Sequence, residues 1–237
     1  MSERVKPSTG WLKFFKERSP NYESHVSSGF VLGLINKIVK LSPITLIEWG
    51  YGTGFISIAM ANRGYRVQGY DIEPRLIEYA IEARRQCFVS GIGSVEFTAS
   101  HSDLKPADVV FSQGLLEHFT DIEIIGLIKE QLNYANKYVV FSVPSAEYKT
   151  QDMGDERLMD VAQWEYILES AFGDNLIELY SYARKMHIIG VISKAREPKL
   201  KCPKPECGSE HISTTTCETD DYIFHCFDCG YKWGYEE

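Results

Sequence analysis

The chain has 237 residues, 44% of them hydrophobic and 24% charged, with a formal net charge of −8. That length fits one α/β domain of about 200 residues with a short appendage. The composition excludes a long disordered or low-complexity chain, and the negative balance argues against a generally basic nucleic-acid-binding surface. The opening MSERVKPSTGWLK has no apolar core of a signal peptide, and residues 30–41, broken by Asn36, Lys37 and Lys40, are too few and too polar to span a bilayer. A cytoplasmic, reducing location is expected, where clustered cysteines are more often metal ligands than disulfides.

Residues 1–40 read as an N-terminal helical segment. Within it Phe30, Val31, Leu34, Ile35, Ile38 and Val39 recur at helical spacing until Pro43. Residues 44–49 form a short apolar run leading into glycines, the pattern of a buried strand. A helix is expected over 53–63, closed by Gly64, and a second strand over 66–71. Pro74 suits the first turn of a helix that runs to about residue 90, before Gly91. Strands follow at 95–99 and 108–112. Thr120 and Glu123 fit a capping box opening a helix to about residue 135, then comes a strand over 137–143 ended by Pro144. A helix over 155–172 precedes Gly173. The extended runs 176–183 and 187–193 lie too close for a crossover helix between them, so they should pair antiparallel. Repeated β-α units imply a parallel sheet with helices on both faces.

The glycine cluster Glu48-Trp49-Gly50-Tyr51-Gly52-Thr53-Gly54 falls on a strand-to-helix turn. Glycines let the backbone turn tightly and approach a ligand, and the helix N-terminus offers N–H groups to an anionic group such as a carboxylate. The spacing is Gly-x-Gly-x-Gly, and Phe55 stands where a dinucleotide fold needs its third glycine. Asp71, ending the second strand, can accept both hydroxyls of a ribose while Ile72 packs on a base. The competing role for Asp71 is a helix cap before Pro74, and the βαβ spacing favours the ribose.

These stretches, EWGYGTG, GYDIEP and DVVFSQGLLEHF, resemble the first, second and fourth motifs of class I S-adenosylmethionine (SAM)-dependent methyltransferases over roughly residues 40–193. Within that class the chain is most similar to the small-molecule methyltransferases typified by ubiquinone-biosynthesis enzymes. The resemblance implies an α/β, Rossmann-like methyltransferase sheet, parallel with a terminal antiparallel hairpin that the dinucleotide-binding topology lacks. It also implies that Glu48, Gly50, Tyr51, Gly52 and Gly54 form the loop at the methionine end of SAM. Asp71 would hold the ribose with Ile72 beside the adenine, and Ser112 and Gln113 would lie beside the sulfonium. One motif departs from the family: Ser100 and His101 replace the Gly-Asp pair after the third strand, which leaves His101 and Asp103 as candidates for the adenine end.

Methyl transfer from a sulfonium needs an aligned nucleophile and, for hydroxyl or amine acceptors, removal of a proton. His118 in LLEHF is the candidate base, and its competing role is a structural histidine at the start of the next loop. No Asp-Pro-Pro-Tyr-like tetrapeptide follows the fourth strand, which argues against amino-methylation of DNA. Tyr148, Asp152, Asp155, Glu156 and Arg157 follow the fifth strand at the substrate edge, although Asp155 could equally begin the next helix. Trp11, Phe14, Phe15 and Tyr22 are lid or core, and His187 reads as a packing residue.

Of six cysteines, all but Cys87 lie at or beyond Cys202. The basic stretch SKAREPKLK before them contains Pro198 and reads as a boundary: a methyltransferase domain over 1–195, a linker over 196–201 and a small zinc-ribbon domain over 202–237. Cys202 and Cys207, then Cys226 and Cys229, form two knuckles, each followed by a glycine, and four thiolates satisfy tetrahedral zinc. The segment resembles the zinc ribbons of transcription elongation factors and RNA polymerase subunits, except that its first knuckle holds four residues between cysteines where those have two. Two lysines against eight carboxylates give the segment a net charge of −6, the wrong sign for phosphate. The expected activity is therefore SAM-dependent methylation of a small molecule, with a protein partner for the acidic ribbon and neither nucleic acid nor membrane favoured. The alternatives are an RNA or protein methyltransferase whose ribbon selects the target, and a binding protein that keeps the fold without turnover.

Overall fold

Seven strands and seven helices are built from residues 1–195, in a computed structural model that describes residues 10–18, 21–89, 91, 93–151, 155–173, 175–194, 202–204, 206–207, 209, 212–216, 222–226 and 228–234. For 10–12, 18, 212–216, 222–226 and 233–234 the description is of the backbone. The chain divides into two units, Met1–Ala195 and Arg196–Glu237. The linker expected at 196–201 lies outside the described residues.

In chain order the first unit holds α1 (Gly10–Arg18), α2 (Tyr22–Val26), α3 (Gly29–Lys40), β1 (Thr45–Trp49), α4 (Phe55–Ala61), β2 (Arg66–Tyr70), α5 (Leu76–Cys87) and β3 (Ser94–Thr98). It continues with β4 (Ala107–Gln113), α6 (Asp121–Tyr134), β5 (Ala135–Pro144), α7 (Val161–Phe172), β6 (Ile177–Tyr182) and β7 (His187–Ser193). The strand order is β3-β2-β1-β4-β5-β7-β6. β1 to β5 pair in parallel, and β7 runs antiparallel between β5 and β6. The order reverses beside β1, where the chain crosses from β3 to β4, so the carboxyl ends of β1 and β4 flank a crevice.

Successive residues of the central strands point to opposite faces, and both faces are buried. Leu46, Val109, Phe111, Val140 and Ile189 face α3 and α4, packing with Leu34, Ile35, Ile38 and Ile58. Ile47, Val110, Val139, Phe141 and Ile188 face α6 and α7, packing with Ile124, Ile128, Trp164 and Leu168. This two-sided burial explains why β4, β5 and β7 read as near-continuous apolar runs.

Three helices differ from their sequence reading. α5 has Arg75 as its N-cap and ends at Cys87, so Pro74 precedes the helix and does not sit in its first turn. α4 begins at Phe55, not at Thr53, because Gly54 is its N-cap in the left-handed region at φ +75°. α7 begins at Val161, six residues beyond Asp155, because Asp160 and Gln163 form a reciprocal capping box. The residues before it take tertiary partners: Met159 bridges to Ser145, and the Arg157 N–H donates to the Glu117 carbonyl at 2.8 Å. Asp155 therefore belongs to a loop at the carboxyl edge of the sheet and does not start the helix.

The second unit holds β8 (Ile212–Thr216), β9 (Tyr222–Cys226) and β10 (Lys232–Gly234), an antiparallel sheet in the order β10-β9-β8. Among its described side chains only that of Cys202 is buried. No helix among the described residues of the chain is long and apolar enough to cross a membrane.

Candidate functional site

A cleft of about 300 Å³ opens at the carboxyl ends of β1, β2 and β4. One wall is the turn between β1 and α4, where Gly50, Gly52 and Gly54 all have positive φ. A Cβ at Gly52 would lie 2.7 Å from the Phe15 ring, so glycine is needed there for both the backbone and the packing of α1. Phe15 itself lines the cleft, whereas Tyr22 packs edge-on against Phe55 as core; the Trp11 side chain lies outside what is described.

Glu48 supports the turn from beneath. Its Oε2 accepts from the Ser57 N–H at 2.8 Å and the Ser57 hydroxyl at 2.5 Å, and burial pushes its carboxyl pKa up to about 8. Asp71 ties the turn to β2: Oδ2 accepts from the Gly52 N–H and Oδ1 from the Glu73 N–H, both at 3.0 Å. It makes no cap to α5, whose N-cap is Arg75. Burial raises the Asp71 pKa against the pull of those two N–H groups. Each carboxylate oxygen keeps a further lone pair. Tyr51 lines the cleft with a buried hydroxyl that has no partner among the described residues.

The opposite wall is aromatic. His101 packs on Tyr70 at 4.2 Å and Trp49 at 5.1 Å between ring centroids, and its Nδ1 meets Glu130 of α6 at 2.9 Å. His101 begins a 3-10 turn, His101–Asp103. With three residues per turn, the residue two further on faces away. Asp103 accordingly accepts from the Thr98 hydroxyl at 2.9 Å and does not line the cleft. Ile72 does, half exposed at its rim.

Beyond β4 the strand alternation separates another pair. Gln113 lines the cleft, while the Ser112 hydroxyl is buried on the other face without a partner among the described residues. Gly54 is likewise outside the cleft, packed against Phe97. The following 3-10 turn, Leu116–His118, carries His118 to the cleft wall. Its Nδ1 is 2.7 Å from Asp155 Oδ1, and its Nε2 is 4.0 Å from Glu117 Oε1. Burial pushes the Glu117 pKa up to about 8.

Among the described residues the lining carries, besides Glu48, which burial holds as an acid, four carboxyl groups, on Asp71, Glu73 (paired with Arg75), Glu130 and Asp155, and neither lysine nor arginine. Such a surface repels phosphate and attracts a cation. The family model for a methyltransferase domain matches residues 22–189, most of the chain. The chain belongs to the methyltransferase-domain family. No curated protein matches the sequence of this methyltransferase. In structure it is similar to the SAM-bound magnesium protoporphyrin IX methyltransferase of Synechocystis PCC 6803, with a TM-score of 0.52 and 17% identity over 82% of this chain and 87% of that one. It is also similar to a SAM-dependent methyltransferase of Aquifex aeolicus, with a TM-score of 0.57 and 15% identity over 78% and 98% of the two chains. The plantazolicin methyltransferase gives a TM-score of 0.57 and 12% identity over 77% and 93%. At these identities the likeness is one of fold, the class I methyltransferase fold.

The site of this methyltransferase holds residues that the motifs did not mark. Trp49 and Tyr70 end β1 and β2 inside motifs quoted above for other residues. Glu130 sits in the middle of α6 with no local signal, and only the packing of α6 on β4 and β5 brings it to His101.

In the second unit Cys202, Cys207 and Cys229 bring their sulfurs within 4.8 Å of one another. Cys202 and Cys229 are 3.6 Å apart, close to the edge of about 3.8 Å of a tetrahedron with metal–sulfur bonds of about 2.3 Å. The side chain of Cys226, the expected fourth ligand, lies outside what is described.

Proposed function

We propose that this methyltransferase binds SAM in the cleft and transfers its methyl group to a small-molecule acceptor. The observation that carries the reading is the cleft's charge: among the described residues, the carboxyl groups of Asp71, Glu73, Glu130 and Asp155, with no lysine or arginine in the lining, suit a sulfonium and an ammonium and oppose a dinucleotide's pyrophosphate. When bound, SAM supplies a methyl group on positively charged sulfur. The turn Gly50-Tyr51-Gly52, held by Glu48 and Asp71, would cradle the amino-acid end, and the spare lone pairs of Asp71 would accept the ribose hydroxyls. His101, Tyr70 and Ile72 would flank the adenine, and Gln113 the sulfonium. His118, on the acceptor side, would act as the base. Two similar structures are named for magnesium protoporphyrin IX and plantazolicin, which accords with an acceptor that is not a nucleic acid.

Calorimetry with SAM tests the reading. Asp71→Ala should weaken binding by about 1.5–3 kcal/mol, the range for a hydrogen bond to a charged group, or roughly tenfold and more in Kd. Equal affinity in the variant would remove Asp71 from the site, and no SAM binding by the natural chain would end the proposal.

The second part of the proposal concerns Arg196–Glu237, a zinc ribbon in which Cys202, Cys207, Cys226 and Cys229 hold one zinc. The clustering of three described thiols supports it. The net charge of −6 over residues 202–237 suits a basic protein partner better than nucleic acid.

A further inference from the structure

His118 is held from outside its own turn, by a loop that the sequence assigned to a helix. Asp155 Oδ1 lies 2.7 Å from His118 Nδ1, a distance of a charge-assisted hydrogen bond. The carboxylate is not there by the chance reach of a loose side chain. Two residues on, Arg157 fastens the loop to the residues around the His118 turn and to the start of α6. Its N–H donates to the Glu117 carbonyl at 2.8 Å, Nη1 to the Phe119 carbonyl at 2.7 Å, and Nη2 to Asp121 at 2.6 Å. The bridge from Met159 to Ser145 closes the loop behind it. The imidazole is nearly buried, at 10% side-chain exposure, while Asp155 stands at 66% and faces the cleft mouth.

An ionised carboxylate can only accept a hydrogen bond, so an imidazole paired with Asp155 through Nδ1 would carry its hydrogen there. The lone pair is then on Nε2. We infer that Asp155 is the positioning residue of His118, fixing the tautomer in which Nε2 takes a proton from the hydroxyl or amine that is methylated. The inference rests on the methyl-transfer reading above and deepens it. In the step, the acceptor heteroatom bonds to the methyl carbon while the carbon–sulfur bond breaks with its electron pair left on sulfur. The heteroatom's proton passes to Nε2, and the imidazolium so formed faces the Asp155 charge. A nucleophile already ionised at neutral pH, such as a carboxylate, would need none of this, so the dyad points to an acceptor that must lose a proton. Among the described residues, the other carboxyl groups facing the ring are Glu117, buried, with Oε1 4.0 Å from Nε2, and Glu156, whose carboxylate lies within 4.8 Å of the His118 and Asp155 ligand atoms.

Long-range proton–nitrogen NMR on the full chain, labelled at histidine and assigned with His118→Gln, reads the tautomer without any acceptor. The neutral His118 ring of the natural chain should carry its hydrogen on Nδ1. In Asp155→Ala that form should fall from nearly all of the neutral ring to a minority, and Asp155→Glu should restore it. A natural chain already on the Nε2–H form, or a tautomer that Asp155→Ala leaves unchanged, overturns the inference. So does selective broadening of the His118 signals by one equivalent of Mn²⁺ that is lost in Glu156→Gln, since His118, Asp155 and Glu156 would then be a cation site. Failure of the methyl-transfer reading shows separately, as absence of SAM binding in calorimetry with the tautomer unaltered.

Discussion

The two units of this chain differ in what they bury. The first covers both faces of its sheet with apolar clusters in which Trp164, Phe111 and Phe141 are fully enclosed. The second has, among its described side chains, a cysteine as its buried residue. Residues 202–237 are too few for an apolar core that could offset the chain entropy of folding. On the zinc-ribbon proposal, a unit of that size would take its stability from a metal held by its cysteines, whereas a unit with two apolar layers needs none. If the proposed zinc site forms, one polypeptide places its catalytic fold and its appendage under separate control, the first by sequence-wide burial and the second by a few thiols.

Removing metal should separate the units most sharply. Structural zinc supplies about 10–16 kcal/mol of apparent binding energy in small zinc modules. Chelation, or Cys226→Ser with Cys229→Ser, should therefore abolish a stoichiometry of one zinc and strip hydrogen-exchange protection from β8 to β10, leaving β1 to β7 protected. Protection of β8 to β10 that survives metal removal would break the contrast.

The converse experiment acts on the first unit alone. Trp164 is fully buried against Phe141, and Trp164→Ala should cost about 3–5 kcal/mol in denaturant unfolding. Zinc content should not change. A loss of less than about 1 kcal/mol would mean that the site collapses onto the cavity.

Glu117 sharpens the comparison through pH, because the first unit buries carboxyl groups as acids. Burial pushes its pKa from 4.5 to about 8 in the folded chain. The folded state thus holds a proton that the unfolded state has released, so Glu117's contribution to stability is greatest below about pH 4.5 and is lost as pH rises to about 8, by at most about 1.4 kcal/mol per pH unit. Glu117→Gln should flatten that fall and stabilise the chain at pH 8 relative to pH 5. Glu48 contributes a second fall of the same sign and should persist in the variant. Parallel pH–stability curves for the natural chain and Glu117→Gln would show that Glu117 is ionised in the fold.

The smallest expected effect comes from deleting the second unit. Every proposed SAM contact lies at or before Gln113, so a chain ending at Arg196 should bind SAM with nearly unchanged affinity in calorimetry. A collapse of binding would make the second unit part of the site.

Much of the first unit was legible in the sequence because its signals are local. Glycine spacing, the Thr120–Glu123 capping box and alternating β-α runs each report on a few neighbouring residues, and β1 to β5, α6 and the β6–β7 hairpin follow from them. Where α7 was misplaced, a longer-range partner outweighed the local one. Asp155 is a plausible helix start by composition, but Arg157 and Met159 are already committed to Glu117, Phe119 and Ser145, and the helix waits for Asp160.

The residue types and their spacing by themselves determined the sheet, the glycine turn with Glu48 and Asp71 beside it, and the grouping of the cysteines, because backbone conformation and side-chain period follow from nearest neighbours. Only the tertiary structure decided which side of each element meets the cleft. It turned His101 inward and Asp103 outward on one 3-10 turn, put Gln113 in the cleft and Ser112 behind it, and brought Glu130 to His101 and Asp155 to His118. Those pairs are 29 and 37 residues apart in sequence, and no local pattern encodes a contact made when separate elements pack.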